Sequence, residues 1–311
     1  MDQELSELRF ARPSLLMRAV KWLAAKRKPV FPHTADGFRE HMASRRKPDD
    51  APMPERFRDR FAVEEQRIAG HEMVTLHPRA GPGEWHMLYF HGGGFVLPMF
   101  KEHWPLAAAM VETCGISISL PLYPCVPYAS HEAQEELAMA AFETLASRHD
   151  PARIALGGDS AGGHMALRLA LRLSEAGGPQ PGKLALFAPW LDLTMADPEM
   201  EGVEPDDIML KIGTLRACGE MVAGASDPAS HEVSPLYASS SALAGLPPTR
   251  IWTGRHDLFI VDSRSFATRL AEAGVDVRLY EYAGAPHVFM AITPTREARD
   301  TFALLKDFLS G

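Results

Sequence analysis

The 311-residue chain holds no apolar run of about eighteen residues, so no segment is expected to cross a bilayer as a helix. Its first residues, MDQELSELRF, lack the basic stretch and apolar core of a secretory leader, and none is expected. Cysteine is scarce. Cys114, Cys125 and Cys218 are odd in number and lack metal-ligand spacing, which favours reduced structural thiols and a cytoplasmic setting. Positive charge is in deficit: 32 Lys and Arg against 40 Asp and Glu leave a net charge of -8, which argues against nucleic acid as the main partner. Internal repeats and low-complexity tracts are also missing. What remains, with 46% hydrophobic and 23% charged residues, is an ordinary globular composition, of a length that suits one large domain or one domain carrying an insertion.

Short apolar runs alternate with helical segments over most of the length. HMLYF (86–90), GISISL (115–120), RIALG (153–157), KLALFA (183–188), RIWTG (250–254) and VRLYEY (277–282) read as buried strands. AVEEQRIAGHEMVTLHP reads as two strands turning near Ala69 and Gly70. EAQEELAMAAFETLASR and GHMALRLALRLSEAG have helical spacing. The pattern predicts a mostly parallel sheet with helices on both faces, entered by an antiparallel hairpin. Ser14–Lys28 reads as a basic amphipathic helix; packing on the protein's own surface is favoured over a membrane surface. Lys47–Pro54 reads as a linker. Residues 195–235 hold no strand candidate between two core strands and read as an insertion. The acidic run Asp197–Asp207 within it fits no calcium loop and is read as solvated.

The densest chemical signal is GGDSAGGH, Gly157–His164. It contains G-x-S-x-G between a strand and a helix, where a sharp turn exposes a serine hydroxyl above the sheet. The bland alternative is that Ser160 merely caps the helix. A nucleophilic Ser160 needs a base, an acid to orient it, and donors for the oxyanion. HGGGF, His91–Phe95, offers the Gly92 and Gly93 amides beside that of Ala161, with His91 as a brace for the loop. Asp257 and His287 follow late strands and should emerge at the same sheet edge as Ser160; Asp262 is the rival acid, and His164 and His256 are rival bases. Asp159 is read as supporting the turn. This chemistry calls for no cofactor and no metal.

Together, HGGGF, GDSAGG, HDLFIVD and APHVF resemble the bacterial hormone-sensitive-lipase-like (family IV) esterases of the α/β-hydrolase fold, over about Phe61 to the carboxyl terminus. LPLYPCVPYA resembles the family's tyrosine segment ending in Ala-Pro-Glu, with Pro124 in place of a frequent arginine and Tyr128 in place of the acidic residue. The resemblance implies a helical cap: residues 1–55 as its amino-terminal part, 56–194 as the first part of the core, 195–235 as the cap insertion and 236–311 as the second part of the core. It implies a serine carboxylesterase acting on short to medium acyl esters through an acyl-enzyme on Ser160. The alternatives are lactone or amide hydrolysis by the same triad, or non-catalytic binding on the same fold, against which His287 argues. The expected partner is a small-molecule ester, with no nucleic acid and no membrane span; a homodimer is left open.

Overall fold

The structure is a computed structural model that describes residues 5–26, 29 and 31–311. Among these residues nine strands form one sheet: β1 (Ser6–Arg9), β2 (Phe61–Ile68), β3 (His71–Pro78), β4 (His86–Phe90), β5 (Ser117–Pro121), β6 (Ile154–Asp159), β7 (Lys183–Phe187), β8 (Thr249–His256) and β9 (Val277–Pro286). Their order is β1-β9-β8-β7-β6-β4-β5-β3-β2. The β2–β3 hairpin turns at Ala69 and Gly70, both at positive φ, and β3 joins β5 antiparallel; the other pairings are parallel.

Eleven helices among the described residues accompany the sheet: α1 (Leu15–Ala24), α2 (Ala35–Ser44), α3 (Arg56–Arg60), α4 (His103–Cys114), α5 (His131–Ala146), α6 (Ala161–Glu175), α7 (Met200–Val203), α8 (Ile212–Ala223), α9 (Ser240–Leu243), α10 (Ile260–Glu272) and α11 (Arg296–Ser310). The central strands are buried almost throughout because helices cover both faces. Apolar side chains of α5, α6 and α10 pack on one face, and those of α4 and α11 on the other. Such burial is worth about 25 cal/mol per Å² of apolar surface, and it is what converts a row of short apolar runs into a single sheet.

Two elements differ from the sequence expectation. Residues 1–55 were expected wholly in a cap, yet Ser6–Arg9 form the edge strand β1, parallel to β9. Its four residues carry no apolar run and do not alternate in burial, so partner hydrogen bonds and the Arg9–Asp300 contacts at 2.9 and 2.7 Å hold it instead. The Lys47–Pro54 linker is pinned to the core: Asp50 accepts the Met99 amide at 2.8 Å, and Trp104 donates to the Ala51 carbonyl at 2.9 Å. The excursion between β7 and β8 contains no strand, and Arg27 and Lys28 of the basic helical segment lie outside the described residues.

Candidate active site

Parallel pairing sends the carboxyl ends of β4, β6, β8 and β9 to one edge of the sheet. His91, Ser160, Asp257 and His287 each follow one of these ends. Ligand sites of open α/β sheets form at that edge because the loops there are free of the packed core.

Ser160 follows β6 at φ 55° and ψ -120°, a conformation costly for a residue with a Cβ, by about 1–3 kcal/mol. The turn is locked by its own backbone: Ser160 N–H donates to Phe187 O at 2.9 Å, while Ser160 O accepts from His164 and Trp190, both at 3.1 Å. Although Ser160 occupies the amino-terminal cap position of α6, its hydroxyl makes no capping hydrogen bond. The strained turn thus leaves the hydroxyl unused by the helix. At Gly162 an added Cβ would overlap the Phe90 carbonyl, so only glycine lets α6 start this close to β4.

Asp257 and His287 meet through strand register. His256 and Pro286 are ladder partners across β8 and β9, after a bulge between Gly254 and His256, so the next residue of each strand lies beside the other. His287 Nδ1 donates to Asp257 Oδ2 at 2.9 Å, and Asp257 Oδ1 accepts the Phe259 amide at 3.0 Å. Asp257 is fully buried. Burial works to lower the His287 pKa, but the charge and hydrogen bond of Asp257, aided by Asp207 and Asp159, outweigh it and raise the pKa above the ordinary imidazole value. An aromatic chain joins the two halves of the site: the His287 ring stands edge-on to Phe259, Phe259 stacks on Trp190, and the Trp190 amide bonds Ser160.

The HGGGF loop is braced from behind. His91 Nδ1 donates to Gly92 O at 2.7 Å, its ring stacks on Tyr123 at 4.1 Å, and Tyr123 donates to His91 O at 2.6 Å. Burial, with His103 nearby, lowers the His91 pKa to about 3, so the ring stays neutral and serves as this donor. Asp159 points under the same loop. It accepts from Tyr89 at 2.8 Å and faces His103 at 3.5 Å, and a Cβ on Gly92 would overlap its carboxylate. Burial disfavours the Asp159 charge, yet His103 and Tyr89 hold the carboxyl below its ordinary value.

The rivals lie elsewhere. Both carboxyl oxygens of Asp262 are buried without a hydrogen-bond partner among the described residues. Burial, then Asp192 and Asp197, push its pKa well above its ordinary value. Asp192 is occupied by Thr194 and by Tyr237, whose hydroxyl donates at 3.0 Å. His164 donates from Nδ1 to Trp190 O at 2.8 Å, deep in the core, and His256 accepts from Lys21 at 2.8 Å near the surface. Burial pushes the Cys114 and Cys125 thiols up to about 12 and raises Cys218 as well, so all three stay protonated.

Sequence reasoning missed Asp207. The acidic run around it was expected to be solvated, but Asp207 is 2% exposed. Its Oδ1 accepts the Met209 and Leu210 amides at 2.8 Å each, and its Oδ2 accepts the Leu258 amide at 2.9 Å, next to Asp257. Burial, then the charge of Asp257, raises its pKa. The one available signal was its place at the end of the acidic run, just before the apolar stretch Ile208–Ile212.

Comparison with known proteins agrees with the fold. Residues 87–291 match the α/β-hydrolase fold family. An esterase of Acinetobacter venetianus is 30% identical over 247 residues, covering 78% of this chain and 80% of that protein. An acetyl-hydrolase of Streptomyces hygroscopicus is 29% identical over 204 residues, covering 65% and 67%. A solved esterase of the bacterial hormone-sensitive lipase family superposes with a TM-score of 0.80 at 26% identity, covering 95% of this chain and 98% of that one. With a sheet, a strand-edge site and relatives of one kind, the chain belongs to the α/β-hydrolase family, among its hormone-sensitive-lipase-like esterases.

Proposed function

We propose that the protein hydrolyses short to medium acyl esters through an acyl-enzyme on Ser160, with His287 as base and Asp257 as the acid that orients it. The observation that carries this reading is the 2.9 Å Asp257–His287 hydrogen bond at the sheet edge that also holds the strained Ser160 turn. With Nδ1 committed to Asp257, Nε2 is the nitrogen left to accept a proton. As Ser160 Oγ bonds to the ester carbonyl carbon, its proton passes to Nε2. That proton then goes to the departing alcohol oxygen as the carbon–oxygen bond breaks. Water repeats the sequence on the acyl-enzyme: it gives a proton to Nε2, forms the acid, and Ser160 leaves with the proton. The amides of Gly92, Gly93 and Ala161 hold the oxyanion in both steps, each worth about 2.7–4 kcal/mol in a comparable site.

The excursion between β7 and β8, with α2, serves as the cap. Supporting this, α2 packs on α8, Thr214 donates to Pro32 O at 2.7 Å, and Cys218 lies against the Gly94 carbonyl at 3.3 Å, directly above the HGGGF loop. Cap methionines do not act alike. Met195 and Met200 are buried in the core and Met209 is half exposed, so acyl contact is assigned to the partly buried Ile208, Leu210, Ile212 and Met221. A closed cap favours acyl chains that fit beneath it, with about 0.8 kcal/mol gained per methylene until the space is full. The test is kcat/KM over p-nitrophenyl esters from acetyl to palmitoyl, together with phosphonate labelling of Ser160. A maximum at palmitoyl would overturn the chain-length preference, and labelling elsewhere would overturn the mechanism.

A further inference from the structure

Helix α1 is turned the wrong way round for a helix that serves only to pack. Ser14, Met17, Val20, Lys21 and Ala24 face the protein, and of these only Met17 is fully buried. The opposite face carries the larger apolar side chains: Leu15 is 79% exposed, Leu16 45%, Trp22 63% and Leu23 50%. These positions fall on one side of a 3.6-residue helix, so they form a continuous stripe. The expectation that this stripe packs on the protein's own surface is therefore reversed.

Along this stretch of chain the charge has one sign. From Leu8 to Ala35 the sequence has Arg9, Arg12, Arg18, Lys21, Lys26, Arg27 and Lys28 but no Asp or Glu, in a chain whose net charge is -8. Arg12, Arg18 and Lys26 are exposed, and Lys26 Nζ sits 3.4 Å over the Trp22 ring. A groove of about 730 Å³ runs beside the stripe, lined by Pro13, Leu15, Trp22, His256 and Gly284. Lys21 anchors the helix there through Gly284 O at 2.9 Å and His256 at 2.8 Å. An acid flanks the groove: Asp206, 4.0 Å from His256. His256 immediately precedes Asp257, and Gly284 is three residues before His287 in the chain. The stripe thus sits at the sheet edge that carries the reaction.

We infer that α1 docks the protein on an anionic lipid surface, its leucines and Trp22 entering the headgroup boundary while Arg12, Arg18 and Lys26 meet the lipid charge. Amphipathic helices with basic flanks and an aromatic side chain bind such interfaces peripherally without spanning them. No helix among the described residues is long and apolar enough to cross a membrane, so the attachment is peripheral. A second copy is the weaker occupant: pairing this face with itself would bring Arg18 and Lys26 of one copy against the same cations of the other. The surface is independent of the catalytic assignment, since none of these side chains takes part in the proposed chemistry.

Of the five tryptophans, only Trp22 is exposed; Trp85, Trp104, Trp190 and Trp252 are buried, so intrinsic fluorescence reports on α1. The full chain is mixed with equimolar phosphatidylglycerol–phosphatidylcholine vesicles and with phosphatidylcholine vesicles alone. The expected result is a blue shift of Trp22 emission and co-sedimentation with the anionic vesicles, with binding to neutral vesicles about tenfold or more weaker. Leu15→Ser/Leu23→Ser and Arg18→Glu/Lys26→Glu are surface changes, and each should weaken binding about tenfold or more. No blue shift and no sedimentation with anionic vesicles would overturn the inference, as would undiminished binding by both double variants. A dimer in light scattering that Leu15→Ser/Leu23→Ser dissociates would overturn it in favour of the second copy.

Discussion

Asp207 Oδ2 accepts the amide of Leu258 at 2.9 Å across 51 residues of sequence, tying the excursion between β7 and β8 to the residue next to Asp257. A carboxylate supplied by that excursion therefore shapes the loop that carries the acid of the proposed triad. An amide cannot accept at both oxygen positions, so Asp207→Asn loses at least one charged hydrogen bond, worth about 1.5–3 kcal/mol. It also removes a negative charge that helps to raise the His287 pKa. Asp207→Asn should lower kcat about tenfold and move the acid limb of kcat/KM to lower pH. A limb that stays in place while kcat falls would reduce Asp207 to a purely structural brace.

Wild-type activity should rise with pH, because in the proposed mechanism only neutral His287 accepts the Ser160 proton. Its pKa is raised, so the acid limb should lie above the ordinary imidazole value of about 6.5. Below that limb the protonated ring is held by Asp257 and the base is lost. The check is a pH profile of kcat/KM on an ester whose chemistry limits the rate; a midpoint below the ordinary value would contradict the site's electrostatics.

Asp257→Asn and Asp262→Asn should differ sharply. The first replaces the oxygen that fixes the His287 tautomer, a change that cost about 10⁴-fold in a comparable triad. The second replaces a buried carboxyl that makes no hydrogen bond among the described residues with an amide of the same shape, so turnover should stay within about tenfold of wild type. Measured kcat for both purified variants, with circular dichroism to establish folding, decides the matter. The reverse ranking would transfer the orienting role to Asp262.

Ser160→Ala should leave the melting temperature near that of wild type or raise it slightly, since it removes no hydrogen bond of the hydroxyl in the fold, and should reduce kcat by about 10⁶-fold, the loss seen when a comparable nucleophile is removed. Residual activity within tenfold of wild type, resistant to the phosphonate, would refute the nucleophile.

Gly162→Ala tests the backbone contact. Its Cβ would overlap the Phe90 carbonyl, so α6 or β4 must shift, at a typical overpacking cost of about 1–3 kcal/mol. Both melting temperature and kcat should fall. A variant with wild-type stability would show that this approach is looser than the structure has it.

Much of the fold was legible because its signals are local. Apolar runs marked β4, β6 and β7 closely, the Ala69–Gly70 turn set the hairpin, and G-x-S-x-G between strand and helix located Ser160. Chain order and strand ends also nominated Asp257 and His287, since parallel strands deliver their carboxyl ends to one edge. Three features waited on tertiary structure. β1 has no apolar run to announce it, and its pairing partner β9 lies more than 260 residues away. The acidic run offered only Asp207's place before an apolar stretch as a sign that it would turn inward, because only the packed excursion brings the Leu258 amide to it. For α1, periodicity defined which side chains share a face but carried no sign for inward and outward; that was decided by the anchor of Lys21 on Gly284 and His256, which leaves Leu15 and Trp22 facing out. Spacing along the chain encodes elements and turns, whereas the choice of which face is buried depends on surfaces that exist only after the sheet has assembled.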